Sequence, residues 1–388
     1  MTLFPYFQPI INVITGNIAG YEALARQECN DTITSAGELF SSKKISSEEL
    51  IKLDRNIRWM ALQAFSKIED ENCYLTLNIS AAWLEHIEDL NSLPTLDMLE
   101  RLNIDKNRII IEITEHDAEL EKLIKVVKKY REAGLKVAID DFGAGNSQLE
   151  RIVAINPDII KIDMTLFKQA AKQEGVSREI VQLLTRFGKR HGCKIICEGV
   201  ETEQEFFFAL NIEAQFIQGF LFSEAQADFQ VSDDYLSQIN KLRASLLGNN
   251  IDKERNKIHQ VNKIKGFCFE LKEMLINSVF SLAYIPIHNY KTLGLLRFYL
   301  CDNGGKQISP DYNFKDSEWV TDNSKIDYNW SSRPYFYKIL ALDSFGENNE
   351  VILSERYRDF GNSLLCRTLS LYIDNKTILM VDINAEWE

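Results

Sequence analysis

The chain has 388 residues, of which 45% are hydrophobic and 26% are charged. This length exceeds that of most single domains and predicts a two-domain protein. With 44 Lys and Arg against 57 Asp and Glu, the formal net charge is −13, which argues against a polymeric nucleic-acid partner because such binding depends on basic patches.

The sequence also predicts a cytoplasmic protein without a membrane segment. No uninterrupted apolar run reaches the length needed to cross a bilayer, and Met1–Ile14 lacks the basic start and the cleavage site of a signal peptide. The seven cysteines show no spacing typical of a disulfide framework. We therefore expect a reducing compartment.

From Leu3 to about residue 225, one unit repeats along the chain. A short apolar run ends on a polar residue, and an amphipathic stretch follows. The predicted strands are Phe4–Ile11, Ile18–Ala25, Tyr74–Ile79, Ile109–Thr114, Val137–Ile139, Ile159–Ile162, Lys194–Cys197 and Phe216–Phe220. The predicted helices are Leu50–Phe65, Leu120–Ala133, Arg151–Ala154, Arg178–His191 and Thr202–Leu210. This alternation predicts a parallel sheet closed into a modified (β/α)8 TIM barrel.

Polar side chains recur where the predicted strands end. They are Glu112, Asp140, Asp141, Lys161, Glu198 and Gln218, joined by Glu22 and Asn78. The carboxyl ends of the strands in a β/α barrel meet at one face, so we expect these side chains to share a site. The acids and the amide among them offer only oxygen ligands, which favour Mg²⁺ or Mn²⁺ over zinc.

The centre of this set is Lys136–Gly145, in which a buried strand ends on two adjacent carboxylates. Asp140 and Asp141 could hold two cations, with one carboxylate bridging, as in-line displacement at phosphorus requires. Lys161 would orient the attacking water or stabilise developing charge. Glu198 could be the general base or a second-metal ligand, and the sequence does not separate these roles.

The ordered motifs around these residues resemble those of the EAL-domain family, which hydrolyses cyclic di-GMP. Tyr21–Arg26 is similar to the motif that names the family. The other blocks follow in order: Leu75–Ser80, Glu112–Glu115, Asp140–Gly143, Lys161–Asp163, Glu198–Glu201 and Gln218–Phe220. The resemblance covers about residues 1–230.

The resemblance implies an enzyme that opens cyclic di-GMP to linear pGpG with two divalent cations, Mg²⁺ or Mn²⁺, while Ca²⁺ would bind but inhibit. It implies that Glu22, Asn78, Glu112 and Asp140 bind one metal ion and that Asp140, Asp141 and Glu198 lie near the other. Lys161, Glu198, Glu22 and Glu115 would be catalytic, with Glu115 holding the loop Phe142–Glu150. The implied substrate-binding residues are Gln8, Leu24, Arg26, Asp163, Glu201 and Gln218.

Three positions depart from the family pattern and keep a second function open. Gln27, Asn146 and Gln148 stand where the family has Trp, an aromatic residue and Ser. A weakly active domain that binds cyclic di-GMP and relays the signal is therefore the alternative. A third possibility is an unrelated barrel enzyme with enolate chemistry, which would need a base facing an α-proton.

The remaining sequence predicts connecting helices over 231–280 and a smaller α+β domain over 281–388. Ser237–Leu247 and Lys253–Met274 are the predicted helices, and they form either a dimer stalk or a packing layer. Strands at Leu295–Cys301, Gln307–Ser309, Val351–Arg356, Leu364–Ile373 and Ile378–Ile383, with a helix opening at Arg333–Phe336, resemble a PAS-like or Cache-like sensor. Arg333, Tyr335, Arg356 and Arg367 either bind a small anionic ligand or pair with carboxylates and fill the core. We expect a homodimer.

Overall fold

The structure is a computed structural model that divides into two compact units, Met1–Leu246 and Leu247–Glu388. It describes residues 2–29, 32–40, 45–79, 83–84, 93–114, 120–144, 149–172, 175–277, 282, 285, 294–316, 318–343, 350–359 and 363–385. No helix among these residues is long and apolar enough to span a lipid bilayer.

The first unit is built on one sheet that closes on itself. Its strands are β1 (Thr2–Asn12), β2 (Ile18–Cys29), β3 (Thr32–Ser35), β4 (Tyr74–Asn78), β5 (Ile109–Thr114), β6 (Lys136–Phe142), β7 (Ile159–Ile162), β8 (Lys194–Cys197) and β9 (Phe216–Ile217). They are ordered β1-β9-β8-β7-β6-β5-β4-β2-β3, and pairing of β1 with β2 closes the barrel. Strand β1 is antiparallel to both of its neighbours, whereas β2 and β4 to β9 pair in parallel. The predicted TIM-type barrel is confirmed.

Amphipathic helices cover the outside of the barrel. They are α1 (Gly37–Phe40), α2 (Ser47–Phe65), α3 (Pro94–Leu102), α4 (Leu120–Glu132), α5 (Leu149–Ile155), α6 (Met164–Lys172), α7 (Val176–His191) and α8 (Glu203–Asn211). Side chains cap some of these helices, such as Ser46 at the start of α2 and Thr202, which forms a capping box with Glu205, at the start of α8. Such caps satisfy backbone N–H groups that have no partner inside the helix.

Alternation along the strands places the polar set inside the barrel. A buried apolar layer of Ile10, Ile110, Ala138, Ile159, Ile196 and Phe216 fills the interior. Successive side chains of a strand point to opposite faces, so Glu112, Asp140, Lys161, Glu198 and Gln218 follow two residues later on the same inward face. The strands therefore deliver this polar layer directly above an apolar floor.

One long helix, α9 (Leu236–Ile276), replaces the two connecting helices predicted from the sequence. It has 41 residues and continues through Gly248, Asn249 and Asn250, where the sequence predicted an interruption. Those residues have low helix propensity, but no proline is present to break the backbone hydrogen bonds. The prediction of two helices was wrong.

The second unit contains a seven-stranded antiparallel sheet. Its strands are β10 (Leu295–Asp302), β11 (Asp311–Lys315), β12 (Glu318–Asp322), β13 (Ile352–Leu353), β14 (Tyr357–Arg358), β15 (Leu365–Tyr372) and β16 (Thr377–Asn384), and its one helix besides α9 in the described residues is α10 (Pro334–Asp343). The long strands are ordered β12-β11-β10-β16-β15-β13. A smaller α/β domain after the barrel is thus confirmed, while its likeness to a PAS or Cache sensor stays a prediction.

Two predicted strands of this unit were misplaced. The return strand after β10 is β11, because Gln307 forms only an isolated bridge with Cys301. The predicted strand Val351–Arg356 contains only the short strand β13, and β14 begins just after it at Tyr357. Both errors lie in segments where turns interrupt the apolar pattern.

Candidate active site

The site is organised around Lys161, whose side chain is 1% exposed and is surrounded by acidic groups. Its Nζ atom lies 3.0 Å from Glu22, 3.1 Å from Glu112, 2.9 Å from Asp140 and 2.8 Å from Glu198. These carboxylates come from four different strands or strand ends. A buried ammonium is costly unless it is paired, and here all four of its neighbours are acidic side chains.

The carboxylates form two groups that share one member. Oxygen atoms of Glu22, Glu112 and Asp140 lie within 4.8 Å of one another, and so do those of Asp140, Asp141 and Glu198. Asp140 belongs to both groups. This arrangement agrees with the sequence expectation of two cation positions with a bridging carboxylate.

The surroundings of the carboxyl groups in the cluster raise the pKa values of several of them. Burial raises the pKa of Glu198 to about 8, and the charges of Asp140 and Glu22 add to the effect of burial. Burial and the charge of Glu22 also raise the pKa of Glu112 well above its usual range, and they raise that of Asp140. Carboxyl groups crowded in a low-dielectric space cannot all ionise without counter-charge. The metal-free cluster therefore retains protons at neutral pH.

Glu22 and Lys161 shift in the directions that stabilise their ion pair. Burial opposes ionisation of Glu22, but Lys161 and hydrogen bonds from Gln218 and Asn78 outweigh burial and lower the pKa of Glu22. Burial also acts to lower the pKa of Lys161, but the surrounding carboxylates raise it well above its ordinary value. Lys161 is therefore the charged partner of the cluster.

Asp141 reaches the site through an unusual backbone conformation. Its φ is 54°, in the left-handed region, and the β6–β7 register shifts between Ile139 and Phe142. Burial and the neighbouring charge of Asp140 raise the pKa of Asp141 to about 6. A non-glycine residue in this region is uncommon and costs backbone energy.

Amide side chains link the acids to the opening of the barrel. Gln218 donates hydrogen bonds to Glu22 at 2.7 Å and to Gln8 at 3.1 Å. Asn78 donates to the other oxygen of Glu22 at 3.1 Å, and Gln8 donates to the carbonyl of Ser223 at 3.2 Å. Each carboxylate oxygen of Glu22 thereby accepts a hydrogen bond from an amide side chain.

Two predicted substrate-contact residues lie further along the strand of Glu22. Leu24 is half-buried and pairs in register with Tyr6 of β1. The guanidinium of Arg26 lies 5.8 Å from the Tyr6 ring centroid, and burial lowers its pKa despite the charge of Glu22. Both residues follow the acidic cluster in the direction in which the strand leaves the barrel.

The other sequence candidates have separate placements. Asp163 accepts a hydrogen bond from the backbone of Thr165 at 2.8 Å, and its charge raises the pKa of Asp141. Glu201 forms an ion pair with Lys168 of α6 at 2.8 Å, a partner that the sequence gave no reason to predict. Glu115, like Asn146 and Gln148, lies outside the described residues.

Two of the ligand candidates in the second unit lie close together. Tyr335 is buried and its ring centroid lies 6.1 Å from that of Tyr357. The Arg333 guanidinium lies 5.7 Å from the same Tyr357 ring. Tyr335 packs on the sheet face that carries Tyr372.

Arg356 and Arg367 do not join them on that face. Arg367 lies on the same face of β15 as Leu369 and Leu371. Those leucines belong to the apolar cluster on the sheet face opposite Tyr335. Its Nη1 atom donates to the carbonyl of Ser354 at 3.4 Å, and Arg356 is exposed. The structure therefore does not bring the four candidates to one place.

Sequence analysis also missed a charged cluster within the second unit. Arg297, whose side chain is 12% exposed, contacts Asp359, lies 2.7 Å from Asp382 and lies 3.9 Å from Asp311. Lys325 completes the cluster at 2.9 Å from Asp311. These residues are far apart in the chain, so only the topology of the sheet assembles them.

The donor set of the barrel fits hard divalent cations. Every group in the two carboxylate clusters offers oxygen, which suits Mg²⁺ and Mn²⁺. Both Glu112 carboxylate oxygens are buried and have no hydrogen-bond donor among the described residues, apart from the ion pair with Lys161. A cation at this position would satisfy them.

Family models match nearly the whole chain. Residues 1–225 match the EAL domain, and residues 240–387 match the EAL-domain associated signalling protein domain. The second match covers most of α9 and the antiparallel unit. The two matches therefore follow one another along the chain, the EAL model first and the signalling-domain model second.

The relatives differ in how much of the chain they cover. The Bacillus subtilis protein YkuI, an uncharacterised EAL-domain protein, is 26% identical over 98% of this chain and 94% of its own length. Its crystal structure, in complex with substrate c-di-GMP and calcium, has a TM-score of 0.81 at 24% identity and covers 99% of this chain and 96% of that one. At that identity, the likeness supports the fold.

Other relatives share the barrel. The Escherichia coli cyclic di-GMP phosphodiesterase PdeL is 25% identical over 56% of this chain and 61% of its own length. Klebsiella pneumoniae BlrP1, solved as a manganese and cyclic di-GMP complex, is 28% identical with a TM-score of 0.52, and the match covers 58% of this chain and 56% of that one. The barrel is thus similar to proteins that hydrolyse or bind cyclic di-GMP.

Proposed function

The chain belongs to the EAL-domain family, and on that premise we propose that its barrel hydrolyses cyclic di-GMP to linear pGpG with two divalent cations. The observation that carries the proposal is the pair of carboxylate clusters that share Asp140. Mg²⁺ or Mn²⁺ bound there would activate water and offset negative charge on the phosphoryl oxygens. The family relatives named above support the choice of substrate.

We assign the proposed ligand residues to two cations, as the family motifs imply. Glu22, Glu112 and Asp140, with Asn78 beside Glu22, would hold one cation. Asp140, Asp141 and Glu198 would hold the other. Lys161 lies between the clusters, where its ammonium can stabilise charge that develops on the phosphodiester.

Glu198 has a carboxyl group whose pKa responds to its surroundings. Burial raises that pKa to about 8 in the metal-free cluster, and a bound cation would lower it, so the ionised carboxylate could bind the cation or accept a proton from water. We keep both proposed roles, ligand and proton acceptor. A Glu198→Gln variant that binds substrate but turns it over slowly would support them, whereas loss of substrate binding would argue for a structural role.

The substrate-contact assignments are proposals as well. Arg26, Leu24, Gln8 and Gln218 line the route from the cluster along β1, β2 and β9, and Arg26 offers a cation for a phosphate. Asp163 and Glu201 remain proposed contacts, although Glu201 is already paired with Lys168. Glu115 remains a proposed support for the loop after Asp141, tested by the activity of Glu115→Ala.

The direct test is hydrolysis of cyclic di-GMP by the full chain with Mg²⁺ or Mn²⁺, followed by chromatography. We expect pGpG from the wild type and from Glu213→Ala, a control at an exposed ion pair with Lys189, but none from Glu22→Ala. Ca²⁺ should bind and suppress the product. Equal product from Glu22→Ala would contradict the ligand assignment.

The alternative function is binding without efficient turnover. Gln27, Asn146 and Gln148, which depart from the family pattern, favour it. In the same assay, tight binding of cyclic di-GMP without pGpG would establish this effector role. If the protein neither binds cyclic di-GMP nor forms pGpG, both proposals are contradicted.

We propose that the second unit regulates the barrel and that the protein forms a homodimer in the cytoplasm. The match of residues 240–387 to a signalling domain supports the regulatory role. A small anionic ligand near Arg333 and Tyr335 stays a prediction. It would be tested by thermal shifts of the full chain with small carboxylates and phosphates, and the dimer by light scattering.

A further inference from the structure

Two hydroxyl groups below the acidic cluster have no partner among the described residues. The hydroxyl oxygens of Tyr74 and Thr76 are both buried, and Thr76 as a whole is 0% exposed. An unsatisfied buried hydroxyl costs about 1–3 kcal/mol. Valine would fill the Thr76 position without that cost, so apolar packing alone does not account for the threonine.

The strand places the side chains of Tyr74 and Thr76 inside the barrel, on the same face as Asn78. Tyr74, Thr76 and Asn78 alternate on one face of β4, and the Asn78 side chain bonds to Glu22 inside the barrel. The Tyr74 ring packs inside against Phe216, with ring centroids 6.0 Å apart. A Cβ atom on Gly20 would lie 2.4 Å from the Tyr74 ring, so glycine at this position leaves room for the ring.

The groups without partners are complementary to one another. Both oxygens of Glu112 are buried, and apart from the ion pair of Oε1 with Lys161 at 3.1 Å they have no donor in the described chain. Asn78 is in register with Glu112 on the neighbouring strand, and Thr76 lies one inward position below Asn78. Burial and, to a smaller extent, the charge of Glu112 raise the pKa of the Tyr74 hydroxyl. Two hydroxyl donors thus lie on the inner face of the strand next to Glu112, whose Oε2 atom has no donor in the described chain.

We propose that Tyr74 and Thr76 are positioning residues that hold the Glu112 carboxylate for its cation through one buried water bound by both hydroxyls. A buried water needs two to four polar partners, and these two hydroxyls and Glu112 provide them. Groups behind a metal ligand fix its orientation, and their loss costs about 10–100-fold in metal affinity. The inference rests on the proposed function, because it assumes that Glu112 binds a metal ion.

The test measures Mn²⁺ affinity by calorimetry on the full chain, together with thermal unfolding of the metal-free protein. Thr76→Val and Tyr74→Phe remove one hydroxyl each with little change of shape. We expect each to raise the Mn²⁺ dissociation constant about 10-fold and Thr76→Ser, which keeps the hydroxyl, to restore it. The control is Tyr130→Phe, which removes a buried hydroxyl bonded to Thr95 at 3.2 Å in another part of the unit.

The outcomes separate this inference from the proposed function. Weaker Mn²⁺ binding in Thr76→Val and Tyr74→Phe, with melting temperatures no lower than that of Tyr130→Phe, would support it. Wild-type affinity in both variants and in the double variant would overturn it while leaving the metal site intact. Failure of the wild type itself to bind Mn²⁺ would overturn the proposed function and this inference together.

Discussion

Asp140 and Asp141 are consecutive residues, yet their carboxylates converge with Glu198 within 4.8 Å. Neighbours in a regular strand point to opposite faces. The left-handed φ of 54° at Asp141 and the register shift after Ile139 remove that constraint. The acidic pair therefore acts on one site because the strand is irregular at its end.

Substitution of Asp141 should separate its charge from its backbone. Asn tolerates the left-handed region better than Ala does, while both remove the carboxylate. We expect both variants to weaken Mn²⁺ binding, and Asp141→Ala to weaken it more, because asparagine keeps one amide oxygen that can bind a cation. Asp141→Ala should be less stable than Asp141→Asn by about 1 kcal/mol, measured as the free energy of unfolding in urea. Equal free energies of unfolding for the two variants would mean that residue 141 leaves the left-handed conformation once the aspartate is replaced.

Removal of the Lys161 charge should destabilise the metal-free barrel. Lys161→Met leaves buried carboxylates without their counter-charge, which costs about 3–5 kcal/mol when one partner of a buried pair is lost. Mn²⁺ should recover much of this loss because it supplies positive charge to the same oxygens. Thermal unfolding with and without Mn²⁺ measures both effects.

The matched control is Lys168→Met, which removes an ion pair of similar length, 2.8 Å to Glu201, with a lysine side chain 23% exposed. A more exposed pair of this kind contributes about 0–1 kcal/mol. Lys168→Met should therefore have a small effect that Mn²⁺ does not correct. If the two variants behave alike, Lys161 does not stabilise the cluster.

Metal binding should release protons at pH 7. A Glu198 carboxyl with a pKa of about 8 is mostly protonated at that pH, whereas Asp141, with a pKa of about 6, is mostly ionised. Metal ligation needs ionised carboxylates, so Glu198 should release close to one proton for each protein loaded. Glu112, whose pKa is also raised well above its usual range, should add to that number. Affinity for Mn²⁺ should rise from pH 6 to pH 8, because protons compete less as pH increases.

Calorimetry in two buffers of different ionisation enthalpy counts the released protons. Glu198→Gln removes one titrating group and should lower the count, while Glu112 continues to release its proton. A wild-type count near zero would contradict the placement of Glu198 at the metal site.

The buried cluster of the second unit should control the stability of that unit. Arg297→Met leaves Asp359 and Asp382 without their shared cation, while Asp311 keeps Lys325, and the loss should cost about 3–5 kcal/mol. Hydrogen exchange should accelerate in β10, β15 and β16 while the barrel strands stay protected. Arg255→Met, at an exposed pair with Asp252, is the control, and exchange as slow as in that variant would contradict the prediction.

The barrel could be predicted because its signals are local. Each apolar run ends at a polar side chain, and parallel strands bring their ends together, so Glu112, Lys161 and Glu198 were identified before their distances were known. The contact of Lys161 with four carboxylates could not be predicted in the same way. It depends on the direction of each side chain inside the closed sheet.

The second unit was harder to predict because its strands are apolar on both faces. The sequence of β15 gives no sign of which face could carry a ligand. It therefore could not show that Arg367 and Tyr335 lie on opposite faces of the sheet. Arg297 looked like an ordinary strand residue, since its acidic partners follow at distant positions in the chain. The uninterrupted helix α9 shows in the same way that weak helix formers do not end a helix.

Lys161 also bears on the order in which the protein matures. In many small metalloproteins, the metal ion is needed before the chain can fold. Here the barrel supplies its own cation to the acidic centre, as the contacts of Lys161 with Glu22, Glu112, Asp140 and Glu198 show. The charge of Lys161 can therefore stabilise the folded barrel before any divalent cation binds.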